Sequence, residues 1–235
     1  MALKALPSGA EKRALVRTMF DRIAPRYDRM NRLLTAGLDQ RWRRLALATV
    51  AVGPGDRVLD LACGTGDLCA LARARGARVL GVDFAREMLR GARRRGIEAA
   101  LVQADGAALP FPDGSFHALT CGFALRNFAE LPAIFAEAAR VLAPGGRVAL
   151  LEVDRPASPL VRAGHALYFE RVVPLLGALL SDRAAYAWLP RSAAYLPPPA
   201  ELRALLEKAG FEQVGRRALL LGAVQLLTAV RRGAP

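Results

Sequence analysis

The chain has 235 residues, 53% of them hydrophobic and 23% charged, with 21 Gly and 15 Pro. That length suits one compact domain with an appendage better than two full domains. The apolar fraction excludes a disordered chain. The formal net charge is +13, and Lys occurs only at Lys4, Lys12 and Lys208 among 34 basic residues, so Arg carries the surplus. Such a surplus fits a nucleic acid or another anionic surface, and equally a compositional bias towards Arg and Ala. The longest nearly uncharged apolar run, Ala218 to Val230, is shorter than the roughly 18–20 residues a bilayer-spanning helix needs. Met1 to Ser8 has no extended apolar region, so a soluble cytoplasmic protein is the expectation. Cys63, Cys69 and Cys121 cannot all pair and form no C-x-x-C. With only His117 and His165 to join them, free thiols in a reducing compartment are expected and a metal site is not.

Residues 11–50 read as helical, with Leu15, Met19, Ile23, Tyr27, Met30, Leu33 and Leu34 recurring at three- and four-residue spacings. Pro25 divides that stretch into two short helices. After Gly53-Pro54-Gly55-Asp56 the pattern changes. Strands are predicted at Val58–Ala62, Arg78–Val82, Ala99–Gln103, Ala118–Gly122 and Arg147–Val153. Helices are predicted to about Arg75 and over Arg86–Arg95 and Leu131–Leu142, the last closed by Pro144-Gly145-Gly146. Strands separated by helices imply crossovers and a mainly parallel sheet. Residues 155–200 interrupt the alternation with a Pro-punctuated apolar insert. Glu201–Ala209 reads as a helix, then Phe211–Leu221 and Gly222–Val230 as an antiparallel pair. The fold class is therefore α/β, a Rossmann-like seven-stranded sheet with a C-terminal antiparallel pair. Four parts follow: a helical lid (1–50), a cofactor-binding core (51–154), a helical substrate insert (155–200), and a closing helix with two strands (201–235).

The string Asp60-Leu61-Ala62-Cys63-Gly64-Thr65-Gly66-Asp67 follows the first strand and opens a helix. Its glycines permit a tight turn and close approach of a ligand to backbone N–H groups. Asp83 ends the second strand, where a carboxylate can accept hydrogen bonds from two ribose hydroxyls. The dinucleotide fingerprint would need Gly where Cys69 stands. Asp60 and Asp67 would repel a pyrophosphate and favour a sulfonium cation. S-adenosyl-L-methionine thus fits better than a dinucleotide, and the competing reading is a purely structural glycine turn. Asp105, just after the third strand, can read an adenine amino group, with Gly106 allowing close approach; otherwise it is a turn aspartate.

The longer strings resemble a known family. Asp60 to Asp67, Leu109-Pro110-Phe111-Pro112-Asp113-Gly114 and Leu142-Ala143-Pro144-Gly145-Gly146 are similar to class I S-adenosylmethionine-dependent methyltransferases. Met19 to Asn31, Phe123-Ala124-Leu125-Arg126-Asn127-Phe128, Tyr168-Phe169 through Pro174, and Ala185 to Ser192 resemble the ubiquinone/menaquinone biosynthesis C-methyltransferases. The resemblance implies cofactor contacts at Thr65, Asp83, Asp105 and Gly106, beside the loop candidates Asp60, Cys63, Gly64 and Gly66 and the position of Gly122. A serine usual in the family stands as Gly122 here, so only backbone contact is available there. Asp154 likewise takes the place of a hydroxyl residue. The implied reaction is C-methylation of demethylmenaquinol, or of a ubiquinone-pathway benzoquinol or another small aromatic.

Methylating a ring carbon requires an electron-rich carbon beside a hydroxyl, with the developing oxyanion stabilised in a dry site. Arg126 is the candidate to hold that oxygen, because a guanidinium stays charged and donates two hydrogen bonds; its alternative is a salt bridge to a nearby carboxylate. Asn127 would orient the ring, and Tyr27, sharing a helix face with Asn31, would close over the substrate. His165 is a weaker candidate base, and His117 reads as a strand surface position. The insert, with Leu160, Leu167, Tyr168, Phe169, Val173, Leu179 and Leu180, is expected to form the wall for a lipid-tailed quinol and to meet an anionic membrane, or else to be core or a homodimer face. Nucleic acid is not an expected partner. An RNA methyltransferase and a non-catalytic cofactor-binding subunit are the remaining alternatives.

Overall fold

The computed structural model describes residues 6–173, 175–176 and 182–233. Three helices open the chain: α1 (Gly9–Ile23), α2 (Tyr27–Leu34) and α3 (Leu38–Thr49). Pro25 falls in a 3-10 turn at Ala24–Arg26 that separates α1 from α2, because its ring cannot continue the α-helical hydrogen bonding. The alternating core follows as β1 (Arg57–Leu61), α4 (Asp67–Arg73), β2 (Arg78–Asp83), α5 (Arg86–Arg94), β3 (Ala100–Gln103), β4 (Phe116–Gly122), α6 (Leu131–Val141) and β5 (Leu142–Val153). The insert contains α7 (Pro159–Leu167), a π-helical turn at Tyr168–Val172, and α8 (Arg183–Ser192). The chain closes with α9 (Pro199–Lys208), β6 (Phe211–Leu219) and β7 (Val224–Arg231). Pro174, Leu179 and Leu180 of the expected insert lie outside the described residues.

The sheet has seven strands in the order β3-β2-β1-β4-β5-β7-β6. β1 to β5 run parallel, and β7 lies antiparallel between β5 and β6. Val58 to Leu61 are buried on both faces, as a central parallel strand covered by helices requires. The strand order reverses between β1 and β4, so a crevice opens beyond their carboxyl ends.

Residues 11–50 hold three helices where two are expected, because a turn at residues 35–37, with Gly37 at φ 76, also separates α2 from α3, and the start of β5 differs too. Phe116 pairs with Leu142 and Ala118 with Arg147, so β5 begins five residues early and Ala143–Gly146 loop out of the ladder. Gly145 takes φ 74 within that loop, a conformation glycine adopts without steric cost.

One apolar cluster packs α6 and α9 on one sheet face, and a second packs α3 and α4 on the other. A third joins Met19, Ile23 and Met30 of α1 and α2 to Met88, Val173 and Trp188. The N-terminal helices are thus fastened to the insert across the top of the sheet. Lys12 adds a polar tie: its Nζ donates to the Phe128 carbonyl at 2.6 Å and lies 3.5 Å from the Tyr195 ring centroid. Burial pulls its pKa down to about 8.

Candidate functional site

Two cavities meet above the carboxyl ends of β1 and β4. The first is lined by Gly64 and Asp83, by Phe84, Ala85 and Met88, and by Asp105, Gly106 and Gly122. Asp83 is buried at its floor, where Oδ2 accepts from the Gly64 N–H and Oδ1 from the Ala85 N–H, both at 2.8 Å. Burial raises its pKa to about 6, and those two N–H groups oppose the rise. Each carboxylate oxygen accepts one of these bonds and retains a second lone pair. At Gly64 (φ 56) an added Cβ would meet only the Tyr27 ring, at 3.9 Å, so the backbone is open to a ligand. Asp105 Oδ1 accepts from the Ala107 N–H at 2.9 Å, and Arg13 stands 3.8 Å from its other oxygen.

Other residues of the loop are held by the protein itself. Gly66 (φ 87) does not line the cavity; a Cβ there would strike Ile97 at 2.9 Å. At Gly106 the crowding comes from Ile134 and Leu61, each 3.1 Å away, so packing as well as access requires glycine. Thr65 donates its hydroxyl to the Asp28 carboxylate on α2, and Arg95 bonds its carbonyl at 2.9 Å. Cys63 and Cys69 both pack on Gly81, and all three cysteines are free and buried.

The expectation that Asp60 and Asp67 both face a cation needs correction. Asp67 is claimed by Arg32 and Arg95 at 2.9 Å, Gln40 at 3.0 Å and Arg43 at 3.7 Å. Those charges hold its carboxyl below the usual range despite burial and spend it on fastening the lid. Asp60 sits under the loop, accepting from Thr120 Oγ1 at 2.9 Å and Cys69 Sγ at 3.3 Å. Burial raises it to about 7, so it carries only part of a charge at neutral pH. Asp60 and Asp67 do both line a small side cavity, with Cys63, Gly64, Thr65, Gly122, Tyr27 and Arg43.

The second cavity has a volume of about 520 Å3 and apolar walls that include Ile23, Trp42, Val153, Tyr168, Phe169 and Leu189. Phe20, Tyr27, Phe123 and Asn127 line both cavities. Tyr27 opens α2 and has its pKa raised by burial. Asn127 accepts from Trp188 Nε1 at 3.1 Å, which turns its amide nitrogen away from Trp188. Phe123 holds φ 62, an unfavourable conformation for a bulky residue.

Arg126 lines the larger cavity and is paired. Its Nη1 bonds to Glu152 and to the Phe123 carbonyl at 2.8 Å, and its Nε donates to Ser192 Oγ at 3.2 Å. Glu152, fully buried, also accepts the Arg126 backbone N–H at 3.1 Å. Sequence reasoning assigned Glu152 no role; its one signal is a carboxylate inside an otherwise apolar strand. Asp154, which takes the place of a hydroxyl residue, pairs with Arg216 of β6. His165 lines the cavity and stacks on Phe169 at 4.3 Å, and its Nε2 is buried without a hydrogen-bond partner among the described residues. Burial lowers its pKa, which favours the neutral ring. His117 sits near the opposite end of the sheet, accepting from the Arg57 N–H at 3.3 Å.

The sequence matches the ubiE/COQ5 methyltransferase family over residues 8–231. The chain belongs to that family. It is 48% identical over 200 residues to the demethylmenaquinone methyltransferase of Thermus thermophilus, covering 82% of this chain and 91% of the relative. Identity to the demethylmenaquinone methyltransferase of a Roseiflexus species is 43% over 238 residues, 99% of this chain and 100% of that one. A ubiquinone/menaquinone biosynthesis C-methyltransferase of Syntrophotalea carbinolica is 40% identical, with coverage of 92% and 93%. The fold is shared with an S-adenosylmethionine-dependent methyltransferase from Thermotoga maritima (TM-score 0.63, 19% identity, 92% and 100% coverage). It is shared too with the [4+2]-cyclase SpnF (TM-score 0.64, 18% identity, 99% and 100% coverage).

Proposed function

We propose that this methyltransferase methylates a ring carbon of demethylmenaquinol, with S-adenosylmethionine in the first cavity and the quinol in the second. The observation that carries this reading is their junction at Tyr27, Phe123 and Asn127. The first cavity suits an adenosine: a buried carboxylate for the ribose at Asp83, apolar side chains around the base, and open backbone at Gly64. The group supplies an electrophilic methyl when bound. A partly charged Asp60 and the Arg43 guanidinium in the side cavity suit an amino acid end.

The protein's own residues then act on the quinol. Arg126 binds one hydroxyl oxygen, which stabilises charge there as its proton leaves and raises electron density on the neighbouring carbon. Glu152 balances the guanidinium and fixes its direction. Asn127 and Tyr27 hold the ring in line with the first cavity, and the residues of the N-terminal lid and the insert exclude water. The electron-rich ring carbon takes the methyl as its bond to sulfur breaks, then loses its own proton to restore aromaticity, and that proton and the hydroxyl's leave to water at the cavity mouth. The apolar walls leave room for the start of a polyprenyl tail, and the substrate's lipid character places the enzyme at the membrane surface.

The test is methyl transfer from labelled S-adenosylmethionine to short-tailed demethylmenaquinol, compared with a ubiquinone-type benzoquinol. Transfer to the naphthoquinol ring carbon is expected, and binding of the donor with no transfer to either quinol would overturn the reading. The benzoquinol is the second candidate because the Syntrophotalea relative is named for both quinones.

A further inference from the structure

The rim of the larger cavity carries leucines that the described residues leave uncovered. Leu33 at the end of α2 and Leu220 in the turn between β6 and β7 line the opening, each 50% exposed. Beyond them Leu221 is 79% exposed and Leu160, on α7, 84%. Single exposed leucines are ordinary, but the β6–β7 turn and the start of α7 are neighbours. A Cβ on Gly222 would lie 3.3 Å from the Pro156 Cα. Arg162 of α7 donates back to the carbonyls of Pro156 at 3.1 Å and Ala157 at 2.9 Å.

The turn's backbone sharpens the point. Leu220 (φ 46), Leu221 (φ 54) and Gly222 (φ 91) all lie in the left-handed region. Hairpin turns that need positive φ favour Asn, Asp and Gly, and leucine is among the residues they disfavour. A strained turn that presents Leu221 to solvent gains no contact there among the described residues. The charge pattern supplies the partner: residues 155–169 and 213–233 contain no Asp or Glu. Arg155, Arg162 and Arg217 are exposed within a few residues of these leucines.

We propose that the β6–β7 turn and α7 dock on an anionic lipid bilayer. Leu160, Leu220 and Leu221 enter the headgroup boundary and the arginines meet the headgroups, so the cavity opens onto the membrane. The proposal rests on the lipid-tailed quinol reading for its purpose. A second copy of the chain would suit the leucines less well, because a two-fold contact sets each cationic fringe against its own image.

Flotation with vesicles of equal parts phosphatidylglycerol and phosphatidylcholine tests it. The wild-type protein is expected to float with these vesicles and far less with phosphatidylcholine alone. The Leu160→Ser, Leu221→Ser double variant, altered only at exposed side chains outside the cavity, should lose about tenfold in partitioning. Its turnover of a water-soluble short-tailed quinol should be unchanged, and that of a long-tailed quinol in vesicles about tenfold lower. Equal flotation of variant and wild type, or no flotation of the wild type, would overturn the docking proposal. So would a wild-type dimer that the variant dissociates with vesicle binding intact. Flotation that responds as expected while the wild type methylates no quinol would leave docking supported and sink the substrate reading instead.

Discussion

Arg126 and Glu152 form an ion pair at the wall of the larger cavity, with side chains 7% and 0% exposed. Removing one partner strands a buried charge, which costs about 3–5 kcal/mol. Arg126→Ala should therefore lower stability in urea by that amount as well as abolish most turnover. The Arg126→Met, Glu152→Leu double variant separates the two effects, since replacing both charges by apolar groups is often neutral for stability. Recovered stability with turnover still depressed by at least about tenfold assigns the pair to the reaction; recovered turnover would make it structural.

Donor affinity should depend on pH through Asp83. Its pKa stands at about 6 in the folded protein, so protonation below that value removes the carboxylate proposed to accept the ribose hydroxyls. Calorimetry should show S-adenosylmethionine binding weaken as pH falls from 8 to 5. Asp83→Asn should bind about tenfold more weakly at pH 8 and show a flatter pH response.

Asp60 has a stability signature of its own. Its folded pKa of about 7 lies above the unfolded value of about 4. The unfolded chain therefore ionises first, and native stability is lost as pH rises from about 4 to about 7. The Asp60→Asn variant should gain on the wild type by about 1.4 kcal/mol per pH unit at most across that window and no further above it. Denaturant titrations at several pH values measure the difference.

Asp67 is the hub that secures the lid, drawing in Arg32, Arg43 and Arg95. Asp67→Ala removes one carboxylate of the cluster while Asp39 still pairs Arg32 and Arg43 and Asp28 still pairs Arg95, and should destabilise the protein by about 1–3 kcal/mol. Amide exchange should accelerate in α2 and α3 more than in the sheet. Uniform acceleration throughout would mean that the lid has no separate attachment.

Phe123 lies between the two cavities with a left-handed backbone. Phe123→Gly relieves roughly 1–2 kcal/mol of that strain, so it should be less destabilising than Phe123→Ala. Both variants should lose turnover, because each removes the ring that both cavities share. Thermal melts and single-turnover rates distinguish the two effects.

The architecture was readable because its signals are local. The apolar run at Val58–Leu61, the break at Gly53–Asp56 and Asp83 at a strand end each lie within a few neighbouring residues. What escaped depends on contacts between distant segments. Asp67 looks like a cofactor carboxylate until Arg32 arrives from 35 residues away. Glu152 has no visible role until Arg126, 26 residues earlier, folds against it. Gly66 and Gly106 read as access for a ligand, and the crowding by Ile97 and by Ile134 with Leu61 appears only once the helices are placed. The looped-out Ala143–Gly146 follows from pairing with β4, which no local pattern encodes.

The position of β7 between β5 and β6 has a consequence for biosynthesis. β7 follows β6 in the chain yet lies between β5 and β6, so β6 has no partner in the sheet until Arg231 has been made. A nascent chain therefore carries the β5 edge unpaired until β7 is complete, and chaperone engagement should persist at least that long.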